Sequence, residues 1–466
     1  MHRTPPRPVL LLGPLMLASV ACVSHRSEVS TLLTTYEVGG FEAAAAQLET
    51  EGFRGGLESE ANSIRFQLEA GKVLQDAARY EESFDMFERA SSGLEAWDLE
   101  ADISLSDEAL ATVWTQSSRP YRGTAHDRIL LEVYQCFNCL ALGDLDEALV
   151  RVRRAYRRQA EAVALHAEEI ADRQASAARV PQGALRQPEY LALEAEASTL
   201  ATEAYADFVN PVATFLQAVL LREEGSQPSS LVELRKLIGI APRNTYLPPL
   251  LEEFEASPEP VAGRYYVLFE NGMAPELIEV AVSFPTSNGW TRVALPRLLP
   301  HPTTVASLTV TEPDTGVVHT TEELASVDSI VATDFAARLP GIVLRTLLSV
   351  AAKEGISHAA RKNDESGLAW LATDLYRLLT SEADLRTWRT LGAEFQLAWG
   401  QRPRDGVLEL AYTTTAGEAG AVRLELPAAR TTFVLVRNPA LVPITPRVLS
   451  LGALPTPSPN EAVPQP

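Results

Sequence analysis

The chain is short of several things, and each shortage closes off a class of protein. Three cysteines in 466 residues are too few for a disulfide scaffold, even in an oxidising compartment. The seven histidines (His2, His25, His126, His166, His301, His319, His358) are scattered, without H-x-x-x-H or H-E-x-x-H spacing, so no metal and no cofactor is expected. G-x-S-x-G elbows, phosphate loops and dinucleotide loops are absent. Positive charge is scarce: 40 Lys and Arg against 61 Asp and Glu leave −21, which argues against nucleic acid and against adhesion to anionic lipid. Acids are abundant, but no carboxylate pair is singled out for glycosidase-like work. The expectation is a protein that is not an enzyme; the alternative is an enzyme with an unrecognised site.

What is there begins with a leader. Arg3 and Arg7 precede the apolar run Val9–Leu17, far short of the ~20 residues that cross a bilayer, and small residues follow, which describes a secretory signal peptide over 1–21. Ala18-Ser19-Val20-Ala21-Cys22 resembles the lipobox of bacterial lipoproteins, although Ser19 stands where that motif usually has Leu. The resemblance implies acylation of Cys22, with 22–30 as a polar tether. Val23 rather than Asp after the cysteine implies an outer-membrane lipoprotein facing the periplasm. Ordinary signal cleavage is the alternative, since Ser19 and Ala21 satisfy its small-x-small rule.

From 31 to 256 the pattern is Ala-, Leu- and Glu-rich with helical spacing. The clearest unit, Phe66 to Trp97, puts Gly71, Ser83 and Ala90 at small positions and Phe87 between them as a plug, and resembles a tetratricopeptide (TPR) repeat. A second unit, Ile129 to Arg158, has Cys136, Ala148 and Ala155 in the small positions; a third, Pro211 to Asn244, has Ala218, Ser230 and Leu234. Gly40-Phe41-Glu42-Ala43-Ala44 suggests an earlier fragment. Residues 155–208 read as long polar helices, a coiled hairpin broken near Val180–Gly183. An unrelated helical bundle is the other reading of this half.

At Ser257-Pro258-Glu259-Pro260 the composition shifts, marking a domain boundary. Strands are expected at Arg264–Phe269, Leu277–Phe284, Thr291–Leu295, Val305–Val310, Ser329–Thr333, Glu394–Trp399, Val407–Thr413, Ala421–Leu426 and Thr432–Val436. Helices are expected over Phe335–Arg361 and Gly367–Leu379. The fold class is therefore α+β and multidomain: a TPR-like helical array, then a mostly antiparallel, β-rich domain over 261–440 with a helical insertion. Residues 441–466 are expected to form a disordered, Pro-rich tail.

Gly143-Asp144 with the Arg151-Val152-Arg153-Arg154 helix, Asn210-Pro211, Phe269-Glu270-Asn271-Gly272-Met273-Ala274-Pro275 with Glu279, and Asp384-Leu385-Arg386-Thr387-Trp388 together resemble a family of uncharacterised bacterial envelope lipoproteins. That family joins a TPR-like half to a β-rich half, and the likeness spans most of residues 30–440. Gly392 stands where the family pattern has Pro. The resemblance implies envelope location and architecture, and no activity.

Few residues suggest chemistry. Cys136-Phe137-Asn138-Cys139 is a C-x-x-C, but redox pairs sit at helix N-termini and this one falls mid-helix, which favours packing. His126-Asp127 reads as a surface turn. Glu270, Asn271, Arg386 and Trp388 are the candidate binding residues, because Trp and Arg are enriched at interface hot spots; a hairpin turn and an Arg stacked on a core Trp are the structural alternative. Trp290, Trp370, Trp388 and Trp399 would serve as sugar platforms if they lined one face. The function expected is a non-catalytic, lipid-anchored periplasmic scaffold whose TPR-like helices bind an envelope protein. The alternative is a module that binds envelope glycans.

Overall fold

The computed structural model describes residues 29–59, 62–103, 120–177, 186–201, 209–257, 259–286, 289–363, 384–440 and 444–453. Cys22, the leader, Trp370 and the expected helix over Gly367–Leu379 lie outside them. The chain is α+β, with helices first and sheets after. The helices are α1 (29–37), α2 (Phe41–Gln47), α3 (Glu51–Leu57), α4 (Ser63–Asp76), α5 (Tyr80–Ile103), α6 (Ala125–Ala141), α7 (Leu145–Ala177), α8 (Pro188–Leu200), α9 (Pro211–Glu223), α10 (Gln227–Ile240) and α11 (Leu247–Ala256). Val29 at the head of α1 is buried, although it falls within the expected tether.

Three consecutive helix pairs repeat one joint. In the first, Gly71 lies against Phe87 and Ile64 against Gly93, so α4 and α5 run antiparallel; a Cβ on Gly71 would come 2.5 Å from the Phe87 ring. Ser83 donates to the Gly71 carbonyl at 2.6 Å, twelve residues back. In the third pair Ser230 donates to the Ala218 carbonyl, also at 2.6 Å and twelve residues back. The second pair has Cys136 and Ala148 at the same spacing, both buried. Small residues let the two helices of each pair touch, and the hydroxyls fill the contact with a hydrogen bond. Neighbouring pairs are stacked: Glu88–Arg151 and Glu95–Arg158 are each separated by 63 residues, so α5 and α7 run parallel.

The strands are β1 (Arg264–Asn271), β2 (Glu276–Thr286), β3 (Gly289–Leu299), β4 (Val305–Glu312), β5 (Val317–Thr320), β6 (Glu322–Ser326), β7 (Glu394–Gln401), β8 (Val407–Thr414), β9 (Ala419–Glu425), β10 (Ala429–Asn438) and β11 (Thr445–Ala453), with α12 (Val327–Asn363) inserted between β6 and β7. They form a five-stranded sheet in the order β11-β10-β1-β7-β6, a four-stranded sheet in the order β5-β4-β8-β9, and the hairpin β2-β3. All pairings are antiparallel except that of β1 with β10.

Two expectations are corrected. Ser329–Thr333, β-branched and expected as a strand, lies inside α12, where the Ser326 side chain caps the helix by accepting from the Ser329 amide at 3.1 Å. The expected tail after 440 is not free over Thr445–Ala453: β11 pairs with β10 and buries Leu449 and Leu451, an alternation that its prolines masked.

Central strand β1 is buried throughout and divides its side chains between two cores. Tyr266 and Leu268 join the helices, while Tyr265, Val267 and Phe269 face the four-stranded sheet. The layers are thus helices, five-stranded sheet, four-stranded sheet. The change from helix to strand falls at the Pro-rich boundary as expected, yet one apolar cluster runs from Ile64 of α4 to Leu451 of β11. The core does not divide where the composition does. The expected break near Val180–Gly183 lies outside the described residues; among those described, α8 packs on α12 and on the β2-β3 hairpin.

Candidate functional site

The first helix of each pair is covered twice, by its partner helix and by the sheet. Tyr134 of α6 reaches Glu270 and the Phe395 ring; Phe215 of α9 stacks edge-on against Tyr266 at 5.4 Å. At the end of β1 this contact becomes a buried cluster of charge.

Lys72 of α4 is wholly buried and donates to both Asp76 oxygens at 2.7 and 2.6 Å, one turn further on. Its ammonium lies 3.1 Å from Glu270 Oε2 and 4.9 Å above the Tyr134 ring. Glu270 Oε1 accepts from the Tyr134 hydroxyl at 2.8 Å and from the Gly392 amide at 3.0 Å. Tyr36 donates to Asp76 at 2.5 Å and accepts from Arg437 Nε at 3.1 Å. The rest of the Arg437 guanidinium is spent on the Gly272 and Thr390 carbonyls at 2.6 and 3.3 Å. Two cations meet two anions, so the cluster is neutral.

Burial pushes the Glu270 carboxyl up, but Lys72, Arg437 and the Tyr134 hydroxyl outweigh it and hold it below the usual carboxylate range. Burial works against the Arg437 charge too, and Tyr36, Glu270 and Asp76 overcome it, raising its pKa. Burial with the neighbouring acids drives Tyr36 and Tyr134 well above the ordinary phenol value, so both stay protonated donors. None of these four groups, Glu270, Arg437, Tyr36 and Tyr134, is poised to exchange a proton near neutrality. The adjoining cavity, lined by Phe41, Gln75, Phe137 and Arg447 among others, holds about 30 Å³, room for a water or two rather than a substrate. This arrangement ties the helices to the sheet.

Three of the candidate binding residues, Glu270, Asn271 and Trp388, are buried at or beside that tie, and Arg386 lies apart from it. Glu270 belongs to it. Asn271 is buried and donates to the Val305 carbonyl and to Glu394 at 2.7 and 2.8 Å. Trp388, 2% exposed, packs against the Phe87 and Tyr134 rings at 5.7 and 5.5 Å. Arg386 pairs with Asp384 and stacks over Tyr121 at 5.6 Å, not over Trp388. The segment 270–275 bonds the backbone just beyond Trp388, Ala274 N to Leu391 O and Ala393 N to Asn271 O. At Gly392 a Cβ would lie 2.5 Å from Glu270 Cγ, and a proline would lack the amide that Glu270 accepts.

The tryptophans do not make a platform among the described residues. Trp388 is core, Trp399 lies under Arg264 and donates to the Tyr246 carbonyl, and Trp290 is 70% exposed by itself. Cys136 and Cys139 are buried within α6, and burial lifts both thiols, Cys139 to about 12, which leaves them unreactive. His126-Asp127 is no surface turn. Both are buried in the first turn of α6; His126 Nδ1 lies 3.1 Å from Asp334 of α12, whose carboxyl is held at about 2 by Arg338 and His126 against the effect of burial. No group of three or more His, Cys, Asp or Glu among the described residues could hold a metal ion, and no described helix is long and apolar enough to cross a membrane.

Sequence reasoning missed Tyr36, Lys72, Asp76, Tyr134 and Arg437. The available signal was Lys72 and Asp76, a turn apart on a face of α4 that also carries Arg65 and Glu69. Comparison with protein-family models, curated proteins and solved structures finds no match to this chain.

Proposed function

We propose that the chain is a non-catalytic, lipid-anchored scaffold of the bacterial envelope, acylated at Cys22, facing the periplasm from the outer membrane, with a TPR-like array that binds a partner protein. One observation carries the reading: the helix joint with its twelve-residue spacing, made twice by a buried serine and once by alanine. Stacked helix pairs of this kind commonly present surfaces to other chains. Here the chain's own sheet covers the inner row α4, α6 and α9, so the reading gives the partner the outer row α5, α7 and α10. The helical part over 31–256 and the β-rich part over 261–440 would act as one body, because they share a core.

The test is site-specific photo-cross-linking in intact cells, with the probe at Leu99 or Leu165 on the outer row and, as a control, at Trp290. Capture of the same envelope protein from both outer positions, and not from Trp290, supports the scaffold; capture from none overturns it. Palmitate labelling that survives Cys22→Ser would remove the anchor.

A further inference from the structure

We propose that Glu132 is a proton-operated switch in the seam between the first two helix pairs: protonated, it leaves Arg151 to bind α7 to α5, and ionised, it loosens that seam. Glu132 lies on the face of α6 turned toward the outer helices and is 0% exposed. Neither carboxyl oxygen has a hydrogen-bond partner among the described residues. Its nearest cation, Arg151 of α7, stands 3.9 Å away, beyond hydrogen-bond reach. Arg151 is already engaged, with Glu88 of α5 at 2.8 Å, with Glu147 at 2.6 Å, and over the Phe84 ring at 4.9 Å.

The other charges that face Glu132 are Arg154 and Arg158 of α7 and Glu88 of α5. Arg158 is held by Glu95 and Glu161, each at 3.1 Å. Glu132 therefore lies in a field of arginines without a donor. Burial pushes its carboxyl up to about 7, the arginines pulling the other way and Glu88 adding to the rise. Once ionised, it competes with Glu88 and Glu147 for Arg151. Glu88–Arg151 and Glu95–Arg158 are rungs between α5 and α7, with Asp98 of α5 also 3.7 Å from Arg158, so weakening the Arg151 rung loosens the stacking of the second pair on the first.

The sign follows from proton binding. The closed seam holds a proton that an opened one releases, at any pH between the ordinary glutamate value of ~4.3 and about 7. Opening becomes easier as pH rises through that window, by up to roughly tenfold per pH unit, and levels off above it.

Hydrogen exchange of the full-length chain, read by mass spectrometry from pH 5 to 8 and corrected for intrinsic rates, tests this. Peptides from α6 and α7 should open more readily up to about pH 7 and then level off, while β1 and β10 serve as controls. In Glu132→Gln, which keeps the shape but cannot ionise, the slope should vanish. In Glu88→Gln, where Arg151 is freer to reach Glu132, the window should move to lower pH; this variant decides the matter if the first does not fold. A flat wild-type profile, an unchanged slope in Glu132→Gln, or an unmoved window in Glu88→Gln would overturn the switch.

Discussion

Helix α6 carries two charge clusters on opposite sides, and they solve the same problem differently. Toward the sheet, Tyr134 helps complete Glu270, which receives a hydroxyl, an amide and an ammonium. Toward the outer helices, two residues earlier, Glu132 is also buried and receives none among the described residues. A buried carboxylate with a full set of donors is fixed in its charge and behaves as a tie; one without them keeps a proton at the edge of neutrality. The difference lies in the neighbours and not in the residue type, and it separates a joint that stays shut from one that responds.

Breaking the matched side should give the largest effect. Lys72→Met or Arg437→Met strands a buried acid and should cost about 3–5 kcal/mol in denaturant unfolding. The double change Lys72→Met with Glu270→Gln should cost less than the sum of the singles, since it removes charges of both signs. The two clusters should also respond to pH with opposite sign. Glu270 is held below its ordinary range, so its contribution is present above that range and is lost as pH falls through the depressed value. Glu132 should disfavour the fold as pH rises instead.

Gly392→Pro comes next. It deletes the amide that Glu270 accepts and sets a Cβ against Glu270 Cγ, so it should cost at least roughly 1.5–3 kcal/mol. Gly392→Ala, which adds the Cβ but keeps the amide, separates the two causes: a smaller loss than with proline traces the difference to that bond. Ser83→Ala and Ser230→Ala probe uncharged joints that belong to neither cluster. Ser230→Ala removes one buried hydrogen bond and Ser83→Ala two, since Ser83 also accepts from Asn138 at 2.9 Å; both leave a residue small enough for the contact, so they should cost about 1 and about 2 kcal/mol. Their effects should add, because the two joints share no partners.

Much of the frame was legible in the sequence. The small positions Gly71, Ser83, Ala148 and Ser230 could be read because helix contact needs small residues at set places, a local rule. Most strands were legible by alternation. The strand over Thr445–Ala453 was not, because a proline-rich neighbourhood outweighed a short apolar alternation. The start of α12 was not, because a capping serine overrode β-branched propensity. The candidate binding residues left a binding edge and a structural turn both open, and the structure buries Glu270, Asn271 and Trp388. Glu270, Asn271 and Trp388 look like an exposed site when their partners Lys72, Tyr134 and Arg437 are far away in sequence. Long-range partners turn a conspicuous residue into a structural one, and no local pattern carries that information.

The smallest effect expected is at Trp290, and it sharpens the comparison by standing outside both seams. Its side chain is 70% exposed, opposite Pro285 at the end of the β2-β3 hairpin. Phe284, on the other face of that hairpin, joins Val282, Val293, Leu295 and Leu298 in anchoring it to the core. Trp290→Ala should therefore change unfolding free energy by less than about 0.5 kcal/mol. Trp388→Ala, which empties the space between Phe87 and Tyr134, should cost about 3–5 kcal/mol. If the two substitutions proved equal, Trp388 would not be the packing link between the first two helix pairs and the sheet. A glycan array read with Trp290→Ala against the unaltered chain adds a separate check: one exposed indole without neighbours offers a sugar a single stacking face, so no difference in binding is expected.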